Sequence, residues 1–124
     1  MQPLFLVMAG GAAGAGLRHL VGRGALAAFG PGWPWGTTIV NLAGGFLMGV
    51  LTGTLARTTL GEPWRLALGV GVLGGFTTFS AFSLEAVGMI ERGQTGTMLL
   101  YVAVSVFGSI GALAAGLGLM RAMA

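Results

Sequence analysis

The sequence predicts an all-α integral membrane protein with four transmembrane helices. Three observations carry that prediction. Hydrophobic residues make up 55% of the 124 and charged ones only 7%, with a mean hydropathy of +0.90. A soluble domain has about 25% charged residues, so this chain lacks the groups needed to coat a surface facing water. Its apolar residues fall into four stretches, each near the roughly 20 residues that a spanning helix requires.

The first span runs from about residue 4 to 29. The opening MQPLFLVMAGGAAGAGLRHL has no positive n-region ahead of its apolar core, unlike a cleavable signal peptide, and reads as a retained helix. Arg18, His19 and Arg23 lie toward its C-terminal end. GPGWPWG, residues 30–36, ends it: prolines and glycines break the helix, and Trp33 and Trp35 suit the lipid–water interface. The second span, about 36–56, carries no charge. ARTTLGEPW is a polar turn in which Pro63 suits a helix start. The third span is about 64–90, ERGQTG is the next turn, and the fourth span is about 97–120, ending at Arg121. With every loop short, residues 1–124 read as a single four-helix transmembrane domain.

Composition also excludes. There is no cysteine, so no disulfide, thiolate metal site or cysteine nucleophile. His19 is the sole histidine and has no nearby carboxylate in sequence, so an enzyme is not expected. The net charge of +3 comes from scattered arginines; without a basic cluster, nucleic acid is not an expected partner.

Several of the 25 glycines recur at four-residue spacing: Gly10 with Gly14, Gly45 with Gly49 and Gly53, Gly71 with Gly75. Such faces let backbones approach closely, either within one subunit or against a second. Four helices hardly enclose an aqueous path alone, which favours an oligomer. Orientation is undecided. With a cytoplasmic N-terminus, Arg57, Arg65 and Arg121 lie inside, against Arg92 and, if counted as flanking, Arg18 and Arg23. The positive-inside rule needs a clearer excess, so fixed orientation and insertion in both orientations as an antiparallel dimer stay open.

Polar side chains inside spans are functional candidates because hydrocarbon penalises them. Thr37 and Asn41 share one face of the second helix; Tyr101, Ser105 and Ser109 recur every four residues along the fourth. In GGFTTFSAFS, residues 74–83, Thr77, Ser80 and Ser83 are three apart, as are Phe76, Phe79 and Phe82. Gly74 and Gly75 each weaken a helix by about 1 kcal/mol relative to alanine, and the β-branched Thr77 and Thr78 add to this. The stretch predicts a break in the third helix near Gly74–Thr78, set against a continuous helix with a glycine seam. A break frees carbonyls, which membrane proteins use to hold ions. The polar inventory is rich in donors, and Glu85 is the embedded acid. That sign suits a small anion, and Phe79 and Phe82 can offer it their positive ring edges.

At these residues the sequence resembles the Fluc (CrcB) family of fluoride channels. The resemblance covers the whole chain, through GGAAGAGLRH, GTTIVNLAGGFLMG, GVLGGFTTFSAFSLE and the Tyr-x3-Ser-x3-Ser register. It implies passive fluoride export from a prokaryotic cell through the plasma (inner) membrane, by an antiparallel dual-topology homodimer. It implies a structural Na⁺ at the dimer centre on the main-chain carbonyls of Gly74 and Thr77. It implies a fluoride pore of Asn41, Phe79, Phe82, Thr37, Ser80, Tyr101, Ser105 and Ser109, with Arg18 at the vestibule. The family commonly reads TTFSTFS, where this chain has Ala81, and one hydroxyl is lost. Glu85 matches a family glutamate without an assigned role. A small multidrug-type transporter would need an acid in the first span, which has none. A purely structural subunit would explain the glycine seams but not the aligned polar track.

Overall fold

The computed structural model describes residues 2–59 and 61–123, and every element among them is helical. Helix α1 is Gln2–Phe29 and α2 is Trp35–Leu55. Helix α3, residues 62–76, opens as Glu62–Trp64, widens into π-helical turns over Arg65–Leu73 and closes as Gly74–Phe76. Helix α4 is Ser80–Glu91 and α5 is Thr95–Ala122. Among the described residues, four stretches are long and apolar enough to cross a membrane: Gln2–Phe29, Trp35–Leu55, Glu62–Glu91 and Thr95–Ala122. Gly30, Gly61 and Gly93 turn the chain between them with φ near +75° (76°, 74° and 75°).

Two seams of close backbone contact organise the bundle. Along α2 and α5, a Cβ on Gly45 would run into Ser109 O, and a Cβ on Gly49 into Leu113 O. Along α1 and α3, a Cβ on Gly10 would run into Ala67 O, and a Cβ on Gly14 into Val72 O. Residue numbers rise together along each seam, so α2 lies parallel to α5 and α1 parallel to α3. In lipid there is no hydrophobic drive between helices, so small residues that bring backbones together supply the packing energy. The π-helical turns place Val72 against Gly14; no signal in the sequence announces them.

Few large side chains are buried. Phe82, Met89 and Tyr101 form a cluster that Trp33, Met98 and Val102 extend. The outer surface is apolar, with Phe5, Leu20, Leu84, Phe107 and Ile110 each more than half exposed. Such a surface suits lipid or another membrane chain rather than water. Apart from Arg18 and Glu85, charge sits toward the ends. Arg57, Glu62, Arg65 and Arg121 share the end where α1 begins; Arg23, Glu91 and Arg92 lie at the other. Glu62 and Arg65 form the ion pair of the first group, at 2.5 Å.

Candidate functional site

Helical geometry stops at Phe76 and resumes at Ser80. Thr77 is extended, at φ −85° and ψ 162°. Its N–H and its hydroxyl both donate to Leu73 O, each at 3.1 Å. Beyond it, side chains take over the backbone's hydrogen bonds. A regular helix would close Thr78 N–H onto Gly74 O. Instead Thr78 N–H donates to Asn41 Oδ1 at 2.8 Å, and Asn41 Nδ2 donates to Thr78 O at 2.9 Å. Likewise Ala81 N–H, which would close onto Thr77 O, donates to Thr78 Oγ1 at 3.1 Å. That hydroxyl caps the start of α4. Arg18 Nε donates to Gly75 O at 3.1 Å. Gly74 O and Thr77 O have thus lost the donors a continuous helix would give them. Glycine at position 44 makes the arrangement fit, because a Cβ there would collide with Thr77 Cγ2.

Asn41, Thr77, Phe79, Phe82, Ser105 and Ser109 line one groove of about 420 Å³. Its walls are mainly apolar, so the few polar groups decide what it accepts. The Phe79 and Phe82 rings are tilted at 44° with centroids 5.5 Å apart. Phe82 is 8% exposed and Phe79 is 76% exposed. The Ser105 hydroxyl is buried with no hydrogen-bond partner among the described residues. Buried polar groups are rarely left so; this one is a donor held ready beside the groove.

A second cluster stands next to it. Thr37 Oγ1 donates to Glu85 Oε2 at 3.1 Å and Tyr101 OH donates to Glu85 Oε1 at 2.9 Å. Tyr101 is fully buried, under the Trp33 ring at 5.4 Å edge-on and beside Phe82 at 5.1 Å. Trp33 of the GPGWPWG loop therefore packs on the ring whose hydroxyl holds Glu85. Thr37 also faces a cleft of about 410 Å³ with Arg18, His19, Arg23, Thr78 and Ala81.

The sequence-derived set thus divides into neighbouring parts. Asn41, Phe79, Phe82, Ser105 and Ser109 share the groove with Thr77. Thr37 and Tyr101 meet on Glu85. Arg18 lies in the adjoining cleft. Ser80 is exposed, with Oγ 3.3 Å from Thr78 Oγ1, and lines neither. Tyr101, Ser105 and Ser109 follow one another along α5 at about 6 Å per four residues.

A family model described as "CrcB-like protein, Camphor Resistance (CrcB)" matches residues 5–117. The chain belongs to the CrcB family. A protein named "Fluoride-specific ion channel FluC" from Sphingopyxis alaskensis is 57% identical over 122 residues, covering 98% of this chain and 97% of that one. Proteins of the same name from Caulobacter vibrioides and Phenylobacterium zucineum are 55% and 58% identical over 123 residues, each with 98% of this chain and 97% of the relative covered.

Two residues of this CrcB chain carry more of the site than sequence reasoning gave them. Glu85 organises two hydroxyls, and Thr78 supplies both the backbone that Asn41 holds and the cap of α4. An embedded acid among hydroxyls was a visible signal for the first. Nothing visible distinguished Thr78 from Thr77.

Proposed function

We propose that this chain is a passive, fluoride-selective channel that lowers cytoplasmic fluoride and thereby its toxicity. The observation that carries the reading is the groove in which Asn41, Ser105, Ser109 and the Phe79–Phe82 pair converge around an unpartnered, buried hydroxyl. Relatives more than half identical over nearly their whole length bear the name of a fluoride-specific ion channel. Fluoride is small and strongly hydrated, so a path must replace its water with donors along its length. Ser105 and Ser109 offer hydroxyls, Asn41 retains one N–H beyond the one given to Thr78, and the phenylalanines present positive ring edges. Thr37 and Tyr101 extend the polar line toward the cleft that holds Arg18, where a guanidinium concentrates anions. A larger halide does not fit donors set for fluoride.

The functional unit in this reading is an antiparallel homodimer of chains inserted in both orientations. The groove is open on one side and Phe79 is bare, so a second chain would complete the wall. A break at Thr77–Phe79 gives the dimer a cation site. Gly74 O and Thr77 O fit a hard cation such as Na⁺, because both carbonyls are relieved of helical donors and oxygen ligands suit such ions. When bound, it supplies positive charge near the anion path and a tie between the two breaks. Fluoride efflux from proteoliposomes, followed with a fluoride electrode against chloride as the comparison, tests the reading. Efflux of fluoride alone is expected; equal passage of chloride, or none of either, overturns it.

A further inference from the structure

We propose that the end of the bundle where α2 and α5 finish binds the headgroup of an anionic phospholipid. A cleft of about 250 Å³ opens there between the two helices, lined by Thr52, Gly53, Ala56, Arg57, Leu117 and Arg121. Two guanidiniums and one threonine face a single small space. Among the described residues no carboxylate lines it, and the ion pair of this end joins Glu62 to Arg65 instead. Both arginines are exposed, and both stand where a span ends: Arg57 follows the last residue of α2 by two, and Arg121 is in the last turn of α5. In a chain that crosses the bilayer, that is the height of lipid phosphates. Arginine matches a phosphodiester with parallel N–H bonds, and basic pockets between spanning helices take anionic headgroups.

The neighbouring surface fits the rest of a lipid. Thr52 also lines a second groove of about 300 Å³, walled by Met48, Leu51, Leu55 and Val70. Arg65 lines its outer end, and from there the groove runs along α2 toward Met48 between apolar walls. A headgroup cleft and an acyl groove therefore adjoin at one residue. The site is separate from the groove of Asn41 and Ser105, and shares with it Met48 alone.

The test is native mass spectrometry of the purified full chain in detergent, titrated with dioleoyl phosphatidylglycerol or dioleoyl phosphatidylcholine. Phosphatidylglycerol is expected to stay bound preferentially, and binding is expected to fall about fivefold for each arginine removed in Arg57→Gln and Arg121→Gln. Arg92→Gln, at the opposite end, should bind as the wild type does. Equal retention of both lipids, or equal loss in all three variants, overturns the proposal. Displacement of phosphatidylglycerol by inorganic phosphate at matching concentration also overturns it, since the cleft would then hold a free anion. Should a glutamine variant not fold, Arg57→Lys and Arg121→Lys carry the test: each keeps its charge without the planar fork and is expected to weaken phosphatidylglycerol binding about twofold, while Arg92→Lys leaves it unchanged; unchanged binding in both, or an equal loss in all three, overturns the proposal.

Discussion

Asn41 and Thr78 are joined by two hydrogen bonds in opposite directions, of 2.9 and 2.8 Å. One side chain from α2 thereby stands in for a missing helical turn in the third span. Asn41→Asp keeps an acceptor for Thr78 N–H and loses the donor to Thr78 O. The variant is expected to be less stable by about 1–3 kcal/mol, the cost of a buried carbonyl left unpaired. It should also pass fluoride more slowly, because a carboxylate repels an anion. Thermal melting in detergent and electrode-monitored efflux check the two effects; wild-type efflux with a wild-type melt would remove Asn41 from the path.

Ser105→Ala separates folding from transport. The Ser105 hydroxyl is buried without a partner among the described residues, so deleting it removes an unpaired group rather than a bond. Stability should hold or rise by up to about 1 kcal/mol, while fluoride efflux falls. A drop in melting temperature with unchanged efflux would show a structural hydroxyl instead. Few substitutions have opposite expected signs in the two assays, which makes this one informative.

Phe79 and Phe82 differ in burial, 76% against 8% exposed, and so should differ in their cost. Phe82→Ile opens space against Tyr101, whose ring lies 5.1 Å away, and should destabilise the chain by about 1–3 kcal/mol. Phe79→Ile touches little within the chain and should leave its helices intact. Both should slow fluoride efflux. Comparing helicity by circular dichroism with efflux in the same preparations checks this; unimpaired efflux in Phe79→Ile would dismiss its ring from the pathway.

The four spans were legible because hydropathy and turn residues act locally. Each boundary in the structure lies within three residues of where the apolar stretch ends, and helix geometry continues into Glu62, Glu91 and Thr95 because polar residues at an interface are free to be helical. The α5 face of Tyr101, Ser105 and Ser109 was legible from its four-residue period. What could not be read was partnership across the bundle. Glu85 lies 48 residues from Thr37 and 16 from Tyr101, and no local pattern records such a meeting. The π-helical turns of Arg65–Leu73 were equally hidden, since they depend on how α3 seats against Gly14.

Tyr101→Phe tests the Glu85 cluster. It deletes the donor to Glu85 Oε1 and leaves Thr37 as the remaining hydroxyl on that carboxylate. Bonds to a charged group are worth about 1.5–3 kcal/mol, and the variant should be destabilised on that scale. Glu85→Gln should cost less, because the amide oxygen still accepts one hydroxyl while its NH₂ becomes a donor. Melting temperatures rank the pair; a Gln variant worse than the Phe variant would mean the negative charge itself is required.

Thr78→Val addresses the proposed cation site through the backbone rather than through a ligand. The substitution keeps the β-branched shape but removes the oxygen that takes Ala81 N–H at 3.1 Å. Loss of that cap should cost about 1 kcal/mol. The released Ala81 N–H is then free to turn toward Thr77 O, its ordinary helical acceptor, and competes there with any bound cation. Fluoride efflux measured across a series of Na⁺ concentrations should therefore require more Na⁺ in the variant than in the wild type. Asn41 still holds Thr78 through backbone atoms, so the chain keeps its path through the interruption and the comparison stays fair. An unchanged Na⁺ requirement, with the expected loss of stability, would mean that Thr77 O holds no cation and that Thr78 serves folding alone.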